Sequence, residues 1–517
     1  MRKVKKLTKL DRKKKESMSR SVKKQIKAQM EEGIVLASKK QERQRKLKRK
    51  KEGTKRPTPF PYQREGAQKI QQQNGVVLLA DEMGLGKSGQ ALMWCRRNKE
   101  EALPIVVVCP AFLTQNWANE FKIWTDIEPF IISSNNILKM ASQMVGKPEA
   151  IIINYEKVAE WLAFFDFYEP NTVIFDETQY IKNLDAQRTR AAIQLALGTE
   201  EKPKKIKHRM GLSGTATENG RPYELYPILK ILWPNKFSSF PQYAHRYCDP
   251  KPTVGGWLFN GATNIEELND RLNSLGMVRR LKKDVLKQLP KKTITVLPVE
   301  IERKEYDEAE LNFLDWLRKK FGFKKALKAA KAMLIVRLGY LIRLAAWKKM
   351  KIVKEWIQDF DDNTADDRKL IVFGKHKSVL NSLHTEFENN SVLITGDVAI
   401  KKRPEICQNF QMNKKIRHLF GNYAAMGVGL NLTAASDGLL IETDWTPGKH
   451  SQAIARMDRI GQKNKVHITW MVAKNTVEEK LCALVRKKEE LNTAILDGKN
   501  AHVEFDVLDS LVEELLN

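Results

Sequence analysis

From residue 60 onward the chain alternates short runs of branched apolar residues with longer segments of helical period. The first runs fall at residues 76–79, 105–108, 151–153 and 173–175, and their unbroken apolar character predicts strands covered on both faces. Strands of that kind interleaved with helices imply a parallel, doubly wound sheet. A second series begins at 370–373 and continues at 392–394, 418–420, 439–441 and 466–470, so a second α/β lobe is expected. Between the two, residues 300–360 read as helix rich in Lys, Arg, Leu and Ala, without a strand pattern. The expected organisation is a tail (1–58), a first lobe (59–298), a helical protrusion and connector (299–360), a second lobe (361–495) and a terminal helix (496–517).

Residues 1–58 break the pattern. They carry 24 Lys and Arg against 6 Asp and Glu, a surplus of 18 in a chain whose net charge is +29. Like charge at this density cannot offset its ordering entropy by burial, so a disordered basic tail suited to a polyanion is expected, with nucleic acid the leading partner. The cluster QRKLKRKKEGTKR also fits a nuclear import signal. The full length of 517 residues, 42% of them apolar, exceeds what one core holds at about 150 residues per domain. Five scattered cysteines without a Cys-x-x-Cys pair argue against a disulfide framework or a zinc ribbon and for a reducing interior. The basic start lacks an apolar leader, and no run approaches the length of about 18 apolar residues that a membrane span needs. A soluble, unexported protein without membrane contact is expected, cytoplasmic in a prokaryotic or virus-infected cell and nuclear in a eukaryote.

The first apolar run leads into Ala80-Asp81-Glu82-Met83-Gly84-Leu85-Gly86-Lys87-Ser88 and then a helical pattern. A phosphate-cradling loop needs glycines where backbone amides approach oxygen, a lysine that reaches the β and γ phosphates, and a hydroxyl for magnesium. Residues 81–88 meet that need, with Asp81 in place of the first glycine. Asp176 and Glu177 follow the run at 173–175. At a strand tip the first carboxylate can hold Mg2+ with Ser88, and the second can orient or deprotonate the attacking water. In the second lobe Arg456 and Arg459 stand three apart on one helical face, a spacing that lets two guanidinium groups reach a γ-phosphate presented by the first lobe. Such arginines stabilise transition-state charge.

Seven blocks in order carry a family resemblance: PYQREG (61–66), ADEMGLGKS (80–88), VVVCPAFLTQNWANEF (106–121), VIFDETQYIKN (173–183), GLSGTATENGRPYELYPIL (211–229), AAMGVGLNLTAAS (424–436) and QAIARMDRIGQ (452–462). The chain resembles the Swi/Snf-type DNA translocases of helicase superfamily two over residues 59–490. The segments RPYELYPIL, FPQYAHRYCDP and MVRRLKKDVLKQLPKK most resemble the branch of annealing helicases and their bacterial and viral relatives. The resemblance implies two RecA-like lobes, ATP as nucleotide with Gln63 reading adenine, and Gly427, Gly429 and Asn431 in a loop facing both nucleotide and DNA. It also implies that residues 213–217 couple hydrolysis to strand contact, although Ala216 replaces the usual proline. Gln179 stands where the family has His. A carboxamide can still donate and accept, but it cannot become cationic.

ATP is then expected to bridge the lobes, with Lys87, Ser88 and Asp176 on one side and Arg456 and Arg459 on the other. Duplex DNA is expected across both lobes through its phosphates, without base reading. The resemblance extends the expectation to branched or fork structures, strand annealing and repair by a monomer. An RNA or single-strand DNA helicase, and a nucleic-acid-binding scaffold with a silent ATPase, stay open as rivals.

Overall fold

The computed structural model describes residues 56–497 except 145, 204–205, 215–220, 254–255, 260, 322–326 and 427–429, and in addition Leu511 and Leu515. The tail through residue 55, the segment 215–217 with Thr215, Ala216 and Thr217, the glycines Gly427 and Gly429, and most of the expected terminal helix lie outside the described residues. Among those described, no helix is long and apolar enough to cross a membrane.

The first lobe opens with helix α1 (Pro61–Gln72), strand β1 (Val76–Leu79) and helix α2 (Lys87–Arg97). It continues through β2 (Ile105–Cys109), α3 (Thr114–Trp124), β3 (Phe130–Ile131), β4 (Ala150–Asn154), β5 (Thr172–Asp176) and β6 (His208–Leu212). A small antiparallel hairpin, β7 (Lys251–Thr253) and β8 (Gly256–Leu258), precedes β9 (Met277–Val278). Seven of these strands form one sheet in the order β3-β4-β2-β5-β6-β1-β9, with every pair parallel. Alternation explains why the apolar runs are unbroken. Val106, Val108, Ile151, Ile153, Val173 and Phe175 face one core, while Ile105, Val107, Ile152 and Ile174 face the other.

The second lobe is built from β10 (Lys292–Val299), helices α4 (Lys304–Phe321) and α5 (Leu327–Asn363), and strands β11 (Leu370–Gly374), β12 (Ser391–Ile394), β13 (His418–Asn422) and β14 (Asp437–Leu440). Helix α6 (Pro447–Ile454), β15 (Val466–Ala473) and α7 (Val477–Leu496) complete it. The sheet order is β10-β15-β14-β11-β13-β12, again all parallel. Ile371 and Phe373 face one core and Leu370 and Val372 the other. Both lobes are therefore doubly wound parallel sheets, as the two series of apolar runs implied. One difference concerns residues 292–298, expected in the first lobe. They belong to β10, which pairs along its length with β15 at the edge of the second sheet. Its alternating Lys-Thr-Ile-Thr pattern suits an edge strand that stays largely exposed, and it lacks the apolar run that marks the covered strands.

The connector α5 is more than a spacer. Val353, Ile357 and Phe360 pack under the second sheet, and Lys349, fully buried, pairs with the equally buried Glu478 at 2.6 Å. The Lys349 ammonium also donates to the carbonyls of Ile441 and Met471 at 2.8 and 2.9 Å, so all three of its protons are used.

Candidate nucleotide site

The phosphate loop leaves β1 and enters α2 at Lys87. Gly84 and Gly86 hold φ of +88° and +74°, a region that L side chains avoid. A Cβ on Gly86 would come within 2.4 Å of Gln63 Nε2, and one on Gly84 within 3.2 Å of Arg459 Cβ. The backbone is therefore approached closely from both lobes. Lys87 Nζ donates to the carbonyl of Asp81 at 2.8 Å and lies 3.4 Å from that of Glu82, so the ammonium lies across its own loop. Loss of water pushes it below the usual lysine range, opposed by Glu177, Asp81 and Asp176. Ser88 follows at the second position of α2, and Met83 and Leu85 fill the loop, Leu85 buried against Tyr62 and Leu286.

Asp81 has a specific task where the motif's first glycine would stand. Its buried carboxylate is forked by Arg280, Nη2 at 2.5 Å and Nε at 3.0 Å, and accepts from Gln90 Nε2 at 3.0 Å. This side chain is committed to an ion pair, and the loop uses its carbonyl. Gln63 is buried on α1; its amide oxygen accepts from the Phe60 N–H at 3.0 Å and its Nε2 donates to the Leu85 carbonyl at 3.3 Å. Gln63 thus stands beside the loop with both ends of its carboxamide engaged by backbone.

At the end of β5, Asp176 Oδ2 accepts from the indole of the buried Trp117 at 2.8 Å and Oδ1 from the Glu177 N–H at 3.0 Å. Burial, and then the neighbouring Glu177, push the Asp176 carboxyl up to about 7, against the pull of Trp117 and Lys87. Glu177 takes a left-handed backbone, φ +54°, which turns the chain at the strand tip. Its Oε2 accepts from Gln179 Nε2 at 2.8 Å, and Gln179 Oε1 accepts from Ser213 Oγ at 2.8 Å. The carboxamide at 179 thus links the carboxylate to Ser213, just past the end of β6.

Arg456 and Arg459 lie past the end of α6, among the turns of residues 455–460 and not on one helical face as their spacing implied, because the helix stops at Ile454. Arg459 Nη1 donates to the Leu430 carbonyl at 3.2 Å, and its Cβ lies against Gly84. Loss of water and the charge of Arg459 hold Arg456 down to about 10, while Glu177 and Asp176 act in the opposite sense. Arg459 is lowered by burial, opposed by Glu120 of α3. Charges of the first lobe are therefore felt by both arginines across the cleft. Asn431 is exposed at the loop before them.

Several residues here were not singled out from sequence. Trp117 lies in the NW of the third quoted block, and Arg279, Arg280 and Lys282 lie in MVRRLKKDV. The visible signal was four cations, Arg279, Arg280, Lys282 and Lys283, beside an apolar strand, a place where buried cations are usually paired.

A glycine loop, a carboxylate pair at a strand end and two arginines, brought to one cleft by two doubly wound sheets, define the class of two-lobed helicase-like ATPase domains. The SNF2-related domain matches residues 5–336 and the helicase conserved C-terminal domain residues 348–461; the chain belongs to the SNF2-related family. It is 30% identical over 434 residues to the Caenorhabditis elegans "SWI/SNF-related matrix-associated actin-dependent regulator of chromatin subfamily A-like protein 1 homolog", covering 83% of this chain and 60% of that protein. It is 29% identical over 463 residues to the human "DNA annealing helicase and endonuclease ZRANB3", covering 86% of this chain and 41% of that protein. The chain thus spans 60% or less of the length of these two relatives. Among solved structures, the Sulfolobus solfataricus SWI2/SNF2 ATPase core in complex with dsDNA aligns with 89% of this chain and 96% of its own, at 22% identity and a TM-score of 0.40.

Proposed function

We propose that this protein is a DNA-dependent ATPase that couples ATP hydrolysis to movement along duplex DNA. The observation that carries the reading is the meeting of the lobes: a Cβ on Gly84 would fall 3.2 Å from Arg459 Cβ and 3.7 Å from its Cα, and Lys282 pairs with Asp458 at 2.9 Å. A triphosphate held there has groups of both lobes within reach of its terminal phosphate. In this reading Gln63 reads adenine, the amides of residues 82–88 and the Lys87 ammonium hold the β and γ phosphates, and Asn431, with Gly429 as the family resemblance implies, is the second lobe's share of nucleotide binding.

The oxygen donors Ser88 and Asp176 suit Mg2+, a hard cation, and Asp176, raised by burial and then by the neighbouring Glu177, is a carboxylate whose charged form a cation would favour. When bound, Mg2+ neutralises charge on the β and γ phosphates. Glu177 orients water and takes its proton, with Gln179 fixing the carboxylate that accepts it. Arg456 and Arg459 stabilise charge developing on the transferred phosphoryl group, a contribution of about 10³ to 10⁵ in rate for such arginines. Only a triphosphate engages both faces, so binding favours closure and hydrolysis favours opening, which shifts the two DNA-gripping surfaces in turn.

The name of the human relative, a DNA annealing helicase and endonuclease, extends the proposal to strand annealing; we add remodelling of branched DNA in repair or replication, by a monomer working in the cytoplasm of a prokaryotic or virus-infected cell, or in the nucleus of a eukaryote. Phosphate release with duplex DNA, single-stranded DNA, RNA or no polynucleotide tests the reading, with Lys87→Ala as the blank. Strongest stimulation by duplex supports it. Strongest stimulation by RNA or a single strand makes it a different motor, and no release under any condition makes it a scaffold.

A further inference from the structure

Residues 277–282 run alongside the phosphate loop. Strand β9 pairs in parallel with β1 at Leu78 and Leu79, and the ladder continues beyond both strands: Ala80 N–H donates to the Val278 carbonyl at 2.8 Å and Glu82 N–H to that of Arg280 at 3.0 Å. Side chains then attach this segment to consecutive loop residues. Arg279 donates to the Ala80 carbonyl at 2.9 Å, Arg280 forks Asp81, and the Lys282 N–H donates to Glu82 Oε2 at 2.8 Å. Two of the three cations also leave the lobe. Arg279 Nε reaches Asp497, just past α7, at 3.0 Å. Lys282 Nζ pairs with Asp458 at 2.9 Å, donates to the Asp458 carbonyl, and lies 3.7 Å from Glu82.

Asp458 sits between Arg456 and Arg459. Its pair with Lys282 is almost wholly buried, 7% and 6% of the two side chains remaining exposed, so it is held by geometry that loose surface pairs lack. We propose that Lys282 is a positioning residue for the arginine pair: anchored to the phosphate loop through Glu82, it holds the Asp458 turn of the second lobe so that Arg456 and Arg459 stand over that loop. The inference rests on the functional reading above. It assigns to the pair of ionic links the setting of lobe closure before nucleotide arrives, and to Lys282 the placement of the arginines. Lys292, 3.8 Å from Asp458, lies on the second lobe's own edge strand and remains as a partner for that carboxylate when Lys282 is replaced.

The test compares the full chain with Lys282→Met, Asp458→Asn, the double variant and Lys282→Arg. Three readouts are taken: duplex-stimulated kcat, affinity for a fluorescent ADP, and the nucleotide-free radius of gyration by small-angle scattering. Each single variant is expected to lose about tenfold in kcat and the double variant no more than either single, because the same ionic link is cut in all three. ADP affinity should stay within about twofold, since coupling through a second lobe need not alter how ligand is held in the first. Lys282→Arg should recover most of the rate, and Lys282→Met should expand the free protein. Losses that multiply in the double variant, ADP affinity that falls in step with kcat, or an unchanged radius in Lys282→Met would each overturn the assignment. Absence of turnover in the wild type would sink the functional reading alone, because the scattering comparison decides closure without catalysis.

Discussion

Asp176→Asn should remove a pH-dependent penalty from the nucleotide-free protein while abolishing its hydrolysis. The folded carboxyl is raised to about 7 from an ordinary value of 3.8. The folded state therefore keeps a proton that the unfolded chain releases, and the penalty grows as pH climbs from about 4 through 7. Three pH units at about 1.36 kcal/mol each set an upper limit of about 4 kcal/mol above pH 7. Sharing of the charge conflict with Glu177 and partial contact with water reduce this to about 2 kcal/mol. Asparagine carries no charge, but its NH2 must face one of two donors, Trp117 Nε1 or the Glu177 N–H, a loss of about 1 kcal/mol that does not vary with pH. The informative quantity is thus the change in the stability difference between pH 5 and pH 8. Melting curves of both proteins, without nucleotide and in a chelator, should show Asn gaining on Asp by about 1–2 kcal/mol across that range, about 2–8 °C for a lobe of this size. A difference that stays flat, or that shifts toward Asp as pH rises, would refute the electrostatic reasoning.

Lys349→Met strands Glu478 in the core of the second lobe, and thermal or denaturant unfolding should show a loss of about 3–5 kcal/mol, much of it recovered when Glu478 is replaced by Leu as well. Gln179→Ala cuts the link between Glu177 and Ser213, so the ratio of duplex-stimulated to unstimulated turnover should fall about tenfold, while an unchanged ratio would mean that coupling runs elsewhere. Deleting residues 1–58 should weaken duplex binding and flatten its salt dependence by about 0.9 in log–log slope for each phosphate that the tail had neutralised; titrations at several salt concentrations read this directly.

Much of the architecture was legible because covered parallel strands leave continuous apolar runs, and the glycine loop, strand-end carboxylates and arginine pair announce themselves by residue type at fixed spacing. What escaped had one physical cause: partners distant in sequence. Nothing near Asp81 reveals that its carboxylate belongs to Arg280, almost two hundred positions away, or that Trp117 of α3 caps the carboxylate at the end of β5. The edge strand β10 joins the second sheet rather than the first for a related reason. Its pattern is half polar, and only its register against Val466–Ala473 shows which lobe it completes. Lys282 and Asp458 look like ordinary charges of a basic chain until burial places them against each other.

Displacement of a third strand from duplex DNA measures movement along the helix and does not depend on strand separation. With ATP, the wild-type protein should release a triplex-forming oligonucleotide in step with phosphate release, and Glu177→Gln should bind both nucleotide and duplex yet release neither. Brisk ATP turnover that leaves the third strand in place, or displacement by Glu177→Gln at the wild-type rate, would contradict the claim that cleavage of a nucleotide between these two lobes drives them along DNA.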